Sequence, residues 1–188
     1  MLNSSRNRIL TRNGALLIIV AISGPLAFSQ SQLDTQNELL TDGNFSDGMK
    51  NWKLEQSGAT GDAVVNNAGP HHQAAIRVQV RTLGDQSWRL QLCHPGFGIE
   101  KGVKYKLVYW AKSKQDAKIT VNCMQNHEPW EHHGAATEVA LTPRWTRYEF
   151  AFTGPWTDTN ARITFTNLGT FSGQAYWFAG CSLKKVLN

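Results

Sequence analysis

Residues 122–134 (NCMQNHEPWEHHG) hold the densest set of side chains able to do chemistry. His127, His132 and His133 lie with Glu128 and Glu131 around Trp130. Imidazole and carboxylate together suit a transition metal. The segment, however, has neither an HExxH motif nor a recognised three-histidine spacing. A pair of carboxylates about 5–10 Å apart suits glycoside hydrolysis. Glu128 and Glu131 share one short loop, and no other acid is tied to them by sequence. Trp130 stands between a proline and a glutamate and has little core to enter. A flat indole left in water suits the C–H face of a pyranose, while amides, carboxylates or arginine suit its hydroxyl rim. Packing on a domain rim is the other reading of Trp130. His132 pairs well with sugar hydroxyls, which predicts weaker binding on acidification.

Trp88 and Gln91 form a second candidate pair, in residues 88–92 (WRLQL). In a regular strand Trp88 shares its face with Leu90 and Leu92, which would make it core. A bulge at the strand entry would turn it outward instead. Gln91 falls on the polar face, either as a partner for hydroxyls or as a plain cross-strand amide. Trp156, after Gly154-Pro155, is a further loop candidate, and His71-His72 is a second histidine pair. No GxSxG, P-loop or GxGxxG is present. We therefore expect no enzyme activity, no cofactor and no metal. A metal-dependent enzyme built on the histidine-rich loop stays open as an alternative.

The elements that must carry these residues show a period of two. Residues 75–81 (AIRVQVR), 88–92, 105–112 (YKLVYWAK), 118–123 (KITVNC), 148–152 (YEFAF) and 162–166 (RITFT) alternate apolar with polar. Turn residues punctuate them at 41–44, 66–70, 95–98 and 101–102. No segment keeps a helical apolar stripe. Many short half-buried strands predict an all-β, antiparallel sandwich. Tyr105, Leu107, Tyr109, Ala111, Phe150, Phe152, Ile163 and Phe165 are its expected core.

The chain has 188 residues, a formal net charge of +5 and 41% hydrophobic residues, which argues against disorder. Arg6, Arg8 and Arg12 precede an eight-residue apolar run at 15–22 and small residues at 27 and 29. This predicts a signal peptide over 1–29, a linker over 30–36 and one domain over 37–188, secreted to an extracellular or periplasmic destination. The apolar run is shorter than the roughly 20 residues a membrane span needs. Without residues 1–29 the charge falls from +5 to +2, since three arginines and no acids leave. No basic cluster remains to track a phosphate backbone, so no nucleic-acid partner is expected. Three cysteines, Cys93, Cys123 and Cys181, permit one bridge or none.

Residues 37–48 (NELLTDGNFSDG) followed by Trp52 resemble the opening of carbohydrate-binding modules of family 4/9. Ile99 with residues 101–112, residues 139–148 (VALTPRWTRY) and residues 161–165 (ARITF) are similar to later motifs of that family, in the same order. The resemblance implies a β-jelly-roll sandwich that binds β-glucan, xylan or a related polysaccharide in a cleft, without catalysis. It implies core positions for Trp52 and Trp145, a cleft aromatic near Trp88, Gln125 as a cleft amide and Trp130 as a cleft platform. It also implies weakening or loss of a structural Ca²⁺ site, because Ser46 replaces a usual glutamate and residues 178–183 (FAGCSL) lack the usual acids. The expected partner is a polysaccharide, bound by a monomer. An extracellular structural or adhesion sandwich without sugar binding is the alternative.

Overall fold

The computed structural model describes residues 37–186; the proposed leader and linker lie outside the described residues. Ten strands form the domain: β1 (Lys53–Gln56), β2 (Thr60–Asn66), β3 (Ala75–Thr82), β4 (Leu90–Ile99), β5 (Lys104–Ser113), β6 (Ala117–Gln125), β7 (His132–Leu141), β8 (Thr146–Thr153), β9 (Asp158–Thr166) and β10 (Ala175–Lys185). They make two five-stranded antiparallel sheets, ordered β1-β4-β9-β6-β7 and β2-β3-β10-β5-β8. The architecture is the antiparallel β-sandwich that the alternation predicts.

The alternating strands meet in a shared core. Leu90 and Leu92 on β4, Ile119, Val121 and Cys123 on β6, and Ile163 and Phe165 on β9 point inward from the first sheet. Tyr105, Leu107, Tyr109 and Ala111 on β5, with Tyr176 and Phe178 on β10, answer from the second. Phe165 touches both Phe178 and Tyr109, with ring centroids 4.3 and 5.1 Å apart, so one ring joins the two layers. Trp52 is buried against Phe45 and His94. Phe152 is buried and Phe150 packs at the core's edge.

Three expectations change. Residues 95–98 are not a turn: β4 runs through them with register shifts around Phe97, and Gly96 takes a φ of 92°. Bulges absorb the glycine and the proline without ending the strand. Trp145 is not core. It lies half-buried on the outer side of the second sheet, its indole N–H donating to the Ala68 carbonyl at 3.2 Å. The question of a disulfide resolves to none: all three thiols are buried and free.

Candidate functional site

Because side chains alternate across a strand, the residues opposite the core on β1, β4, β9 and β6 share the outer face of the first sheet. Ladder pairs set Glu55 beside Gln91, Thr164 beside Asn122, and Arg162 beside Met124, which in turn pairs with His132. All of these but Thr164 line an open trough of about 930 Å³, together with Lys53, Gln56, Trp88 and Trp130 among others. Trp88 and Trp130 line the same trough and are 49% and 44% exposed.

Trp88 escapes the core because the chain enters β4 through a 3₁₀ turn at Ser87–Arg89. That turn breaks the strand period, so Trp88 no longer shares a face with Leu90. It is stapled on both sides. Asn167 N–H donates to the Ser87 carbonyl at 2.7 Å, and Ser57 N–H donates to the Arg89 carbonyl at 2.8 Å. The Arg89 guanidinium, paired with Asp85, lies 5.0 Å from the Trp88 ring.

Trp130 sits on the β6–β7 loop, which includes a cis Glu128–Pro129 bond. Its own φ of 64° is in the left-handed region, a conformation that costs a bulky residue about 1–3 kcal/mol and persists only where the surroundings impose it. The surroundings are specific. Trp130 N–H donates to the His127 carbonyl at 2.9 Å, and Gln125 and Glu131 exchange two hydrogen bonds across the loop base. The second of these uses the Gln125 side-chain oxygen as acceptor, at 3.0 Å. Gln125 is therefore a buried clasp of the loop rather than part of the trough lining.

Asp158, at the start of β9, ties down both feet of the loop. His133 Nε2 lies 3.0 Å and His127 Nε2 3.4 Å from its two oxygens. Burial opposes the charge on Asp158. Hydrogen bonds from the Asn160 N–H, His133 and His127 outweigh it and hold the carboxyl below its usual range. The Glu128 carbonyl and then Asp158 push His127 upward. Trp156 packs on His133, ring centroids 5.0 Å apart, and so supports the loop from behind. His132 alone of the three histidines lines the trough. Among the described residues no group of three or more His, Cys, Asp or Glu could hold a metal ion. Around Ser46 and the 178–183 segment, Asp42 accepts from the Ser46 hydroxyl and Asp47 N–H, and Glu38 accepts from Leu40 and Leu183 N–H and the Ser182 hydroxyl.

The trough floor holds residues that the sequence reading passed over. Arg162 is almost fully buried, pairs with Glu55 at 2.9 Å, and places its guanidinium 4.9 Å from the Trp130 ring. Glu55 also accepts from Gln91 Nε2 at 3.2 Å and meets Lys53 at 3.4 Å. Asn122 Oδ1 and Arg162 Nε are buried with no partner among the described residues. The alternation of 162–166 and 118–123 carried this information. The polar positions of those strands are the outer face, and two of them are Arg162 and Asn122.

A two-layer antiparallel sandwich with an open trough on the outer face of one sheet defines a class, the β-sandwich domain. The sequence profile of the carbohydrate binding domain family 4/9 matches residues 37–168, and the chain belongs to that family. A solved CBM4 structure shares 23% identity over 78% of this chain and 99% of its own, with a TM-score of 0.69. The N-terminal cellulose-binding domain of Cellulomonas fimi β-1,4-glucanase C shares 23% identity over 77% of this chain and 94% of its own, TM-score 0.58. The second N-terminal cellulose-binding domain of the same enzyme shares 18% identity over 81% and 97%, TM-score 0.61. These likenesses show the fold. No curated protein matches the chain.

Proposed function

We propose that the protein is an exported, monomeric, non-catalytic module that binds a neutral polysaccharide of the β-glucan or xylan type in the trough. One observation carries this reading: two half-exposed indoles, Trp88 and Trp130, line one trough whose floor is polar. Sugar faces stack on the indoles. Gln91, His132, Asn122 and the Arg162–Glu55 pair meet the hydroxyl rim. Affinity in the micromolar to millimolar range, about 4 to 8 kcal/mol, is what a single open trough supplies.

The test is a titration of soluble β-glucan and xylan followed by tryptophan fluorescence. A saturable shift is expected, weakened about ten-fold or more by Trp130→Ala and by Trp88→Ala, a factor worth about 1.4 kcal/mol. Silence across a broad polysaccharide array would leave a structural or adhesion sandwich as the better account.

A further inference from the structure

The opposite side of the sandwich has a different character. On the outer face of β3, β10 and β5, Trp177 pairs in register with Arg77 on one side and Lys112 on the other. The Arg77 guanidinium lies 5.6 Å from the Trp177 ring centroid, and Lys112 Nζ lies 4.9 Å from it. Lys112 Nζ is also 5.1 Å from the Trp145 ring. The result is a row of alternating cations and indoles running across three strands and onto the start of β8.

Long cationic side chains on a solvated sheet either move freely or pair with an acid. Here the rings hold Lys112, the Trp177 ring and a hydrogen bond to Gln79 Oε1 hold Arg77, and neither cation has a carboxylate within ion-pair distance among the described residues. The acids nearby are engaged elsewhere: Asp62 with Arg81 at 2.5 Å, and Glu149 with Arg147 and Lys106 at 2.9 and 3.3 Å. Arg77 Nε is buried with no partner among the described residues. Two positive charges are thus fixed in place without being neutralised, and aromatic partners restrict their motion before any ligand arrives.

The geometry points to a second binding surface, the Arg77–Trp177–Lys112–Trp145 row, which takes an acidic, uronate-bearing polysaccharide. Carboxylates on a stiff glycan would meet Lys112 and Arg77, which the half-buried indoles hold in place. A nucleic acid fits less well. It needs more cations along its backbone and free aromatic faces for its bases, whereas Trp177 has a cation on each side. This surface is independent of the trough.

Affinity electrophoresis of the whole chain through gels containing polygalacturonate tests the inference. We expect retardation at low salt that disappears near about 0.5 M NaCl, where charges more than a few ångströms apart are screened. Lys112→Gln and Arg77→Gln should each weaken retention about ten-fold, the loss of one charged contact. Trp130→Ala, and Arg147→Gln in the already paired cation, should leave it unchanged. Near-UV circular dichroism and an unchanged melting temperature certify the fold of each variant. If Lys112→Gln does not fold, Lys112→Met with the same readouts replaces it. Absence of retardation overturns the proposal. So does retardation that Trp130→Ala abolishes, or equal retention by single-stranded DNA through the same two cations.

Discussion

Arg162 shows how much one residue can decide. Its guanidinium is the counter-charge of Glu55, a neighbour of the Cys93 and Met124 sulfurs at 3.9 Å, and the cation beneath the Trp130 ring. Removing one member of a buried pair strands the other, at about 3–5 kcal/mol when both are fully buried. Glu55 is about a quarter exposed, so we expect Arg162→Met to cost about 2 kcal/mol. The urea midpoint will report it, and adding Glu55→Gln should restore part of the loss. Glycan affinity should fall in both variants. An unchanged midpoint in Arg162→Met would contradict the pairing. In the sequence Arg162 reads as one polar position in an alternating strand. Only the ladder from β1 to β6 brings it between Glu55 and Trp130.

At the level of elements, the β6–β7 loop and the first turn of the domain make separate predictions. Protonated His127 gains from the Glu128 carbonyl and Asp158, so its value lies above the ordinary 6.5. That contribution is complete below 6.5 and is lost as pH rises through the raised value. Asp158 is held below its ordinary 3.8, so its contribution is present above 3.8 and is lost only as pH falls through the lowered value. The loop is therefore held best between those limits, in mild acid. The indole N–H resonance of Trp130 should move with a midpoint above 6.5, and His127→Gln should flatten that titration. A further constraint lies where the opening segment docks on β10. Cys181 N–H donates to the Gly43 carbonyl at 2.8 Å, and a Cβ on Gly43 would fall 1.8 Å from the Cys181 carbonyl oxygen. Gly43→Ala should destabilise by about 3 kcal/mol through this overlap, seen as a lower melting temperature. Six strands, β3, β4, β5, β6, β8 and β9, were legible because their residues alternate, whereas β1, β2, β7 and β10 were not read from the pattern. The Ser87–Arg89 turn was not, because a single 3₁₀ turn leaves no periodic trace in three residues.

For the whole molecule, stability rests on the apolar layer between the sheets and not on a covalent staple. Burial pushes all three thiols upward, away from the thiolate that reacts. A thiol reagent should label none of Cys93, Cys123 and Cys181 in the native protein and all three in denaturant. The melting temperature should be the same with and without reductant. A reductant-sensitive melt would mean a bridge that the geometry does not contain. The same layer sets the function, because packing one face of each sheet leaves the other two facing water. One of these carries the trough and the other the cation–indole row.

The amino-acid order alone determined the sandwich, its inward rings and the family, because alternation and ordered motifs are local properties that survive without neighbours. It also marked Gln91, Trp130 and His132 as side chains with polar surroundings and left Trp88 open between core and cleft. Only the tertiary structure decided that these four line one trough while Gln125 clasps a loop, and that Trp145 lies outside the core. Those outcomes depend on strand register and on a single turn, through which residues as far apart as Glu55 and Arg162 become partners. Contacts at such separations leave no mark in the chain's local pattern.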